Sequence, residues 1–443
     1  MRPSAGAIAA VPGSSAASRS RSGKRFQGAS DTVQRSHPVF IFLVVVGIFM
    51  PPTMAVFLGE LRLFPGRVAI IILFLPALFI LLGRLRRVLA SDLFAFATAA
   101  WILIASLNVE GFNSISSAGI EAMEFFGAYI IARAYVFERP ALETFIRIFK
   151  VITIVLIILA LLDTLSGRLL TIEITAELFN NPKFTQPSRS LFGINVVRAT
   201  ATFEHSILYG TFCALAAAVF LYSERTHLRR ILCFGLCSFG CLLAVSSAPL
   251  MSLAIVAIVY SYDRLLKRCS WRWKAFWSAI AALFAAVFMV SNHPIASIIS
   301  RLTFDPSSGY YRIMIWELAM PQIAISPLTG FGFRLFNDPV LDSSVDSVWL
   351  VLALRFGVPT IVFLFLANVA SFVRSSQGTG RRSADPFMDR MRTGFTLVLA
   401  MFLFTGLTVH YWNGSWMFWG LCLGIRASLN EYFNAVRQNS HPF

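Results

Sequence analysis

The sequence predicts an all-α, polytopic membrane protein with about twelve transmembrane helices and a large, partly helical outer loop. Of the 443 residues, 57% are hydrophobic and only 14% are charged, against about 25% charged residues in ordinary soluble domains. The apolar residues occur in runs close to the ~20 residues that a helix needs to cross hydrocarbon. Lys and Arg are concentrated in alternate connections between these runs, as expected of cytoplasmic loops.

This composition excludes a soluble enzyme, a disordered chain and a disulfide scaffold as the main fold class. The formal net charge of +16 follows the loop pattern, so it does not indicate a nucleic-acid partner. The six cysteines form no C-x-x-C pair, which argues against zinc or redox sites. Cys233, Cys237 and Cys241 share one helix face. We expect a stripe of small residues at a helix contact there, with a thiol site as the alternative.

The elements follow from the runs in chain order. Residues 1–36 are rich in Ser, Ala, Gly and Arg and predict a disordered, basic cytoplasmic tail. A transmembrane domain is predicted over 37–426, beginning with an uncleaved signal anchor, and a second cytoplasmic tail over 427–443. The predicted spans are 38–58, 66–83, 91–107, 115–132, 145–163, 205–223, 231–247, 249–262, 275–291, 346–368, 393–410 and 412–426.

The charge bias orients these spans with both termini in the cytoplasm. Two connections on the opposite side are long, about 164–204 and about 292–345. Long ordered loops on a rigid scaffold commonly carry binding and catalytic residues. The two halves of the chain show no internal repeat, which argues against a transporter built from inverted repeats.

The second long loop carries the most informative pattern. Arg312 and Trp316 share one face of a predicted helix, and Pro327 with Gly330 and Gly332 predicts a turn at which the backbone approaches another element closely. A guanidinium beside aromatic rings suits a phosphate or a sugar. The alternative is a solvated Arg on an interfacial helix.

Two further sets of polar residues adjoin apolar runs. Arg198, Glu204 and His205 precede a predicted span and suggest a proton-transfer or phosphate site, or an anchor with a local Glu–Arg pair. Glu121 and Glu124 share a face inside the fourth predicted span. Carboxylates at such depth face the bundle or a water-filled cavity, or they have a purely structural partner.

Together these residues resemble the O-antigen ligase and polysaccharide polymerase superfamily of bacterial inner-membrane proteins, which includes exopolysaccharide polymerases. Members carry a large periplasmic loop with an Arg, a Trp, a Pro-Leu-x-Gly-x-Gly turn and an aromatic-Leu segment. The matching residues are Arg312, Trp316, Pro327, Leu328, Gly330, Gly332, Asp346, Trp349, Leu350 and Gly357. The stretch from Arg198 to His205 resembles the family's Arg-x-x-x-x-Phe-x-His motif.

Two positions depart from the family pattern. Ligases of this family usually carry a His before the aromatic-Leu segment, where this chain has Asp346, and Thr360 replaces the last Gly of a Gly-x-x-Gly motif. A carboxylate can still accept a hydroxyl proton or orient an acceptor sugar. The departure favours a polymerase of a secreted polysaccharide over a ligase.

The resemblance implies a glycosyltransferase that joins undecaprenyl-pyrophosphate-linked oligosaccharide units to an acceptor glycan on the periplasmic face. It implies no metal, no cofactor and no nucleotide sugar, and partners such as a chain-length regulator or other envelope assembly proteins. The alternatives are an O-antigen ligase acting on lipid A-core, a transporter or flippase of lipid-linked sugars, and a scaffold without chemistry of its own.

The expected roles follow from the leaving group. Arg198 and Arg312 are predicted catalytic residues that stabilise the charge developing on pyrophosphate, and Asp346 is the predicted base or acceptor-orienting group. Predicted substrate-binding residues are Arg301, Glu204, His205, Trp316 and Arg334.

Overall fold

The computed structural model describes residues 38–59, 61–83, 86–185, 188–191, 194–290, 306–336, 338–373 and 385–439. Its helices are α1 (Pro38–Phe49), α2 (Pro65–Gly83), α3 (Ala90–Glu110), α4 (Ile115–Tyr135), α5 (Arg139–Ser166), α6 (Leu170–Leu178), α7 (Ser206–Ser223), α8 (His227–Leu243), α9 (Ser247–Leu265), α10 (Arg272–Val290), α11 (Pro306–Ile325), α12 (Pro339–Ser343), α13 (Val348–Phe356), α14 (Val358–Phe372), α15 (Pro386–Thr405) and α16 (Asn413–Asn439). Two small antiparallel hairpins join β1 (Val56–Leu58) to β2 (Leu61–Leu63) and β3 (Arg189–Leu191) to β4 (Ile194–Val196). The all-α class is therefore confirmed, whereas the predicted tail 1–36 lies outside the described residues.

Five helical stretches of the described chain are long and apolar enough to cross a membrane. They are Pro65–Gly83, Ala90–Tyr135, Arg139–Ser166, Ser206–Ser223 and Ser247–Leu265. The second is a hairpin of α3 and α4, because Asp92 near the start of α3 contacts Arg133 near the end of α4. The chain is thus a multi-pass membrane protein, and the total of twelve spans stays a prediction.

Two predicted spans were wrong in detail. The run 38–58 is helical only to Phe49, because Pro51 and Pro52 cannot donate helical hydrogen bonds, and a 3₁₀ turn and the β1–β2 hairpin follow. The run 346–368 is broken at Gly357 into α13 and α14. The last span extends beyond its predicted end at 426, since α16 continues to Asn439.

The centre of the bundle is formed by helices that pack through small residues. A Cβ atom on Gly420 or Gly424 of α16 would overlap the carbonyl oxygens of Phe125 and Tyr129 in α4, so the two helices approach as closely as backbones allow. Almost all of α7 is buried among its neighbours. These tightly packed helices form a rigid frame for the polar residues at their ends.

The cysteine stripe is part of this packing. Cys237 and Cys241 of α8 are buried, and a Cβ on Gly240 would lie 2.7 Å from the sulfur of Cys213 in α7. The thiol of Cys241 donates a hydrogen bond to the carbonyl of Gly210. The stripe of small residues is therefore confirmed as a helix contact.

One end of the bundle holds a buried charged cluster, the Arg133 network (Arg86, Asp92, Tyr129, Arg133 and Glu431). Arg133 is only 2% exposed. Its Nε lies 2.9 Å from Oδ1 of Asp92 and its Nη1 lies 2.6 Å from Oε2 of Glu431. Arg86 reaches Glu431 at 3.0 Å, and the hydroxyl of Tyr129 donates to Asp92. The network ties α3, α4 and α16 together.

Candidate functional site

A second polar cluster lies at the opposite end of the same helices, which we call the site end (Arg67, Glu124, Glu204 and Asn413). Nε of Arg67 at the start of α2 lies 2.6 Å from Oε1 of Glu124 in α4. Nη2 of Arg67 donates to Oδ1 of Asn413 at the start of α16, at 3.0 Å. The amide of Asn413 in turn donates to Glu204. Three helices and the segment before α7 therefore meet through side-chain hydrogen bonds.

The predicted Arg198 segment is fixed against this end. Oδ2 of Asp163 in α5 accepts hydrogen bonds from the backbone N–H groups of Thr200 and Ala201, at 3.3 and 2.9 Å. The N–H of Ala199 donates to the carbonyl of Leu243 at 3.1 Å. The backbone beside Arg198 is thus held by two helices.

Arg198, His205 and Arg312 act on one another. His205 caps α7, its Nδ1 accepting the N–H of Ile207 at 3.1 Å. Arg198 and Arg312 are 7% and 6% exposed. Burial, and then the charges of these two arginines, lower the pKa of His205 to about 4. The structure therefore brings together three predicted site residues from two distant segments, with a neutral imidazole between two cations.

Acid is expected to destabilise the folded protein through its buried histidines. Histidines of the unfolded chain titrate near pH 6.5, whereas the pKa values are about 4 for His205 and about 3 for His410. The unfolded state therefore binds protons first, so stability is complete above pH ~6.5 and falls as the pH drops towards 4. Melting temperatures in detergent between pH 7.5 and 4.5 measure this loss.

His205→Gln should flatten that pH dependence, and His227→Gln, at an exposed position, serves as the matched control. A wild-type melting temperature that stays constant down to pH 4.5 would contradict the depressed pKa values.

Glu204 is enclosed by cations and amides. Burial raises its pKa, against the opposing effects of Arg62 and of the hydrogen bond from Asn413. Nη2 of Arg62, beside the β1–β2 hairpin, donates to the carbonyl of Pro52 at 2.8 Å, and burial lowers the pKa of Arg62. Glu204 therefore faces a small group of cations that the sequence did not single out.

A third part of the site lies between α15 and α16. The rings of His410 and Trp412 are edge to face, with centroids 4.9 Å apart, and the centroid of His205 is 6.4 Å from that of Trp412. Burial, followed by the charge of Arg355, lowers the pKa of His410 to about 3. Nη1 of Arg355 is 3.7 Å from Oε2 of Glu121. Trp412 thus lies between two imidazoles, each with arginine nearby.

The turn predicted around Pro327, Gly330 and Gly332 packs on the break between α13 and α14. We call this contact the glycine clasp (residues 327–333 and 354–358). A Cβ on Gly330 would lie 2.5 Å from the carbonyl oxygen of Leu354, so the predicted close approach of backbone is confirmed. Three backbone hydrogen bonds close the clasp, from Phe331 to Leu354 at 2.7 Å, from Gly332 to Arg355 at 2.9 Å and from Val358 to Pro327 at 2.8 Å. The clasp positions Arg355.

Gly357→Ala is expected to disrupt the clasp. Gly357 has a φ of +81°, and a Cβ there would overlap the carbonyl oxygen of Leu328. Gly167→Ala is the matched control, since Gly167 has a φ of +67° but open space around it. Backbone strain alone costs about 1 kcal/mol, so Gly357→Ala should lose much more folded protein than Gly167→Ala in size-exclusion and melting assays. Equal losses would show that the contact with Leu328 is unimportant.

The other predicted site residues are dispersed. Asp346 lies just before α13, where its Oδ1 accepts the hydroxyl of Ser344 at 3.1 Å, and its grouping with Arg198 and Arg312 stays a prediction. Nε1 of Trp316 donates to the carbonyl of Leu407 at 3.4 Å. The exposed Arg334 donates to the carbonyl of Val109 at 2.7 Å. Arg301 lies outside the described residues.

Sequence reasoning overlooked Arg62, Arg67, Arg355, His410 and Trp412. Arg355 carried a usable signal, since a charge inside an apolar run marks a functional position by default. The other four adjoin span ends, where charges and aromatic residues are common anchors, so only their convergence in space distinguishes them.

Comparison with known proteins bears on the second half of this site. Residues 232–365 match the family model described as O-antigen ligase. The matched segment contains Arg312, Trp316, Asp346 and the glycine clasp, whereas Arg198 and His205 precede it. The resemblance recognised in the sequence is thereby confirmed. No curated protein matches the chain.

Proposed function

We propose, from the O-antigen ligase domain that residues 232–365 match, that this protein is a polysaccharide polymerase. It would join undecaprenyl-pyrophosphate-linked oligosaccharide units to an acceptor glycan on the periplasmic face of the inner membrane. The observation that carries the proposal is the meeting of two buried arginines, Arg198 and Arg312, at the imidazole of His205. This pair lies at one end of an apolar bundle, where a lipid-linked anion can reach it.

The reaction is a substitution at the anomeric carbon. The acceptor hydroxyl oxygen forms the new bond to that carbon while the bond from carbon to pyrophosphate oxygen breaks. The electron pair leaves with undecaprenyl pyrophosphate, and the hydroxyl proton passes to a base. Guanidinium groups pair with phosphate oxygens through two parallel hydrogen bonds. Arg198 and Arg312 are therefore suited to stabilise the charge that grows on the leaving group.

His205 is the proton acceptor that the geometry favours, and Asp346 is the alternative suggested by the family pattern. The imidazole is neutral at pH 7 because burial and two nearby cations depress its pKa. A bound pyrophosphate offsets those cations, so the pKa of His205 rises towards its ordinary value as the donor arrives. The imidazole then becomes a better base when the substrate is in place.

Polymerisation is favoured over ligation by Asp346, which stands where ligases of the family carry His. In the proposed orientation the site end faces the periplasm, the Arg133 network faces the cytoplasm, and both termini are cytoplasmic. A chain-length regulator or other envelope assembly proteins are the expected partners. Nothing in the proposed chemistry requires a metal or a cofactor.

The test uses the full chain reconstituted in vesicles with purified undecaprenyl-pyrophosphate-linked repeat units. Glycan products of increasing length support a polymerase. Glycan appearing only on added lipid A-core indicates a ligase, and substrate that changes leaflet without changing mass indicates a flippase. Either of the last two results, or no reaction in protein that melts cooperatively, would reject the polymerase.

A further inference from the structure

We propose that Trp412 and His410 bind the acceptor saccharide, with the indole stacked on a sugar ring and Nδ1 of His410 hydrogen-bonded to a sugar hydroxyl. This inference deepens the proposed glycosyl transfer and depends on it. It concerns the segment His410–Gly414 between α15 and α16, which lies outside the matched family segment.

The first observation is the exposure of Trp412. Its side chain is 37% exposed, whereas Trp416 and Trp419, further along the same helix, are buried in the core. An indole held at the polar end of the bundle offers a flat apolar face beside hydrogen-bonding groups. That combination suits a sugar ring, which has an apolar face and a rim of hydroxyls.

The second observation is an unsatisfied polar atom. His410 is 8% exposed, and its Nδ1 is buried without a hydrogen-bond partner among the described residues. A buried nitrogen left unpaired costs about 1–3 kcal/mol, and such groups in native proteins call for an explanation. A hydroxyl of a bound saccharide can provide the missing partner, because a neutral imidazole can accept or donate one hydrogen bond at each nitrogen.

The third observation is that the backbone of this segment is fixed. Asn413 has a φ of +39°, in the left-handed region that non-glycine residues rarely adopt. Its side chain is held by Arg67 and Glu204. A Cβ on the adjacent Gly414 would lie 2.5 Å from the carbonyl oxygen of Ile48. Unfavourable backbone of this kind persists where the surroundings over-determine it, and it clusters at functional sites.

Asn413 is therefore a positioning residue for Trp412. A ring that is already fixed loses little conformational entropy when a ligand binds, which favours affinity. The hydrogen bonds of Asn413 reach α2 and the segment before α7. The indole is thus held relative to the same segment that carries His205.

The placement of Trp412 explains why an acceptor rather than a donor fits here. The indole centroid is 6.4 Å from that of His205 and 4.9 Å from that of His410. A sugar on the indole is therefore adjacent to the imidazole that Arg198 and Arg312 flank. A hydroxyl of that sugar can face a donor whose pyrophosphate is bound by the two arginines, which is the proximity that the substitution needs.

The test measures binding and kinetics separately, with full-length protein in nanodiscs. The binding probe is the repeat-unit oligosaccharide released from its lipid by mild acid. Trp412→Ala should weaken its binding and raise the acceptor KM about tenfold, while the donor KM changes less than about twofold. Trp412→Phe should retain most of the affinity. His410→Phe should also raise the acceptor KM, because it removes the hydrogen bond and keeps a ring.

Trp271→Ala is the matched control, since Trp271 is exposed and precedes α10. An acceptor KM and a binding constant that Trp412→Ala leaves unchanged would overturn the proposal, as would an equal rise in the donor KM. If polymer forms normally in Trp412→Ala, the saccharide site is wrong and the polymerase stands. If the wild type binds the oligosaccharide through Trp412 but transfers nothing, the polymerase is wrong and the saccharide site stands.

Discussion

Arg312→Ala should reduce glycan transfer by about 10²–10³-fold, the effect of removing one preorganised group that stabilises developing charge. Arg312 is buried and shares the imidazole of His205 with Arg198, so its loss leaves the leaving group with half of its proposed cationic partners. Polymer yield and initial rate in reconstituted vesicles measure the effect. Only variant protein that inserts and melts like the wild type is informative.

Two further variants make this test specific. Arg312→Lys keeps the charge but loses the planar fork, so it should recover part of the rate. Arg168→Ala is the matched control, because Arg168 is exposed and pairs only with Glu173 on the surface, a type of pair worth about 0–1 kcal/mol. Polymer of normal length and yield from Arg312→Ala would remove Arg312 from the site.

Arg198→Ala should resemble Arg312→Ala, and the double variant should lose less than the product of the two single losses. Residues that act on one group as a unit show such non-additivity. Fully multiplicative losses would indicate that the two arginines act independently.

Arg133→Ala should cause the largest loss of stability, about 3–5 kcal/mol. The guanidinium pairs with Asp92 and Glu431 in a buried position, so its removal leaves two carboxylates without their main counter-charge. Thermal melting in detergent and the yield of monodisperse protein measure the effect.

A compensating variant tests the cause of that loss. Arg133→Met combined with Asp92→Asn and Glu431→Gln removes all three charges and should recover much of the melting temperature, because an apolar or neutral replacement of a buried ion pair is often tolerated. Arg139→Ala, which breaks a pair 40% exposed on its arginine, is the control. A melting temperature of Arg133→Ala equal to that of the control would show that the network is not stabilising.

Much of the helical frame was predictable because hydrocarbon imposes one simple rule on sequence. The predicted span 66–83 corresponds to α2 (Pro65–Gly83), and the span 205–223 corresponds to α7 (Ser206–Ser223). The errors lie where the rule has no force. Pro51 and Gly357 interrupt apolar runs through backbone chemistry, and hydropathy is insensitive to such breaks.

The site was predictable only where a local motif carries it. Arg198, His205 and Arg312 belong to recognisable stretches, and the structure brings them together. Arg67 and Asn413 are 346 positions apart, and their contact results from the packing of α2, α4 and α16. A single sequence contains no local record of such a pairing, which is why Trp412 escaped notice.

The depth of the site along α4 has a consequence for the surrounding lipid. Glu124, which pairs with Arg67, and Arg133 lie on one helix, and at 1.5 Å per residue their Cα atoms are about 13 Å apart. The hydrocarbon of a bilayer is about 30 Å thick, so the water-excluding septum between the two charged clusters is less than half of that. A sugar-bearing headgroup must therefore sink below the level of its neighbours to react. Membranes with longer acyl chains lengthen that descent, so acyl-chain length should tune the rate of this protein through hydrophobic mismatch.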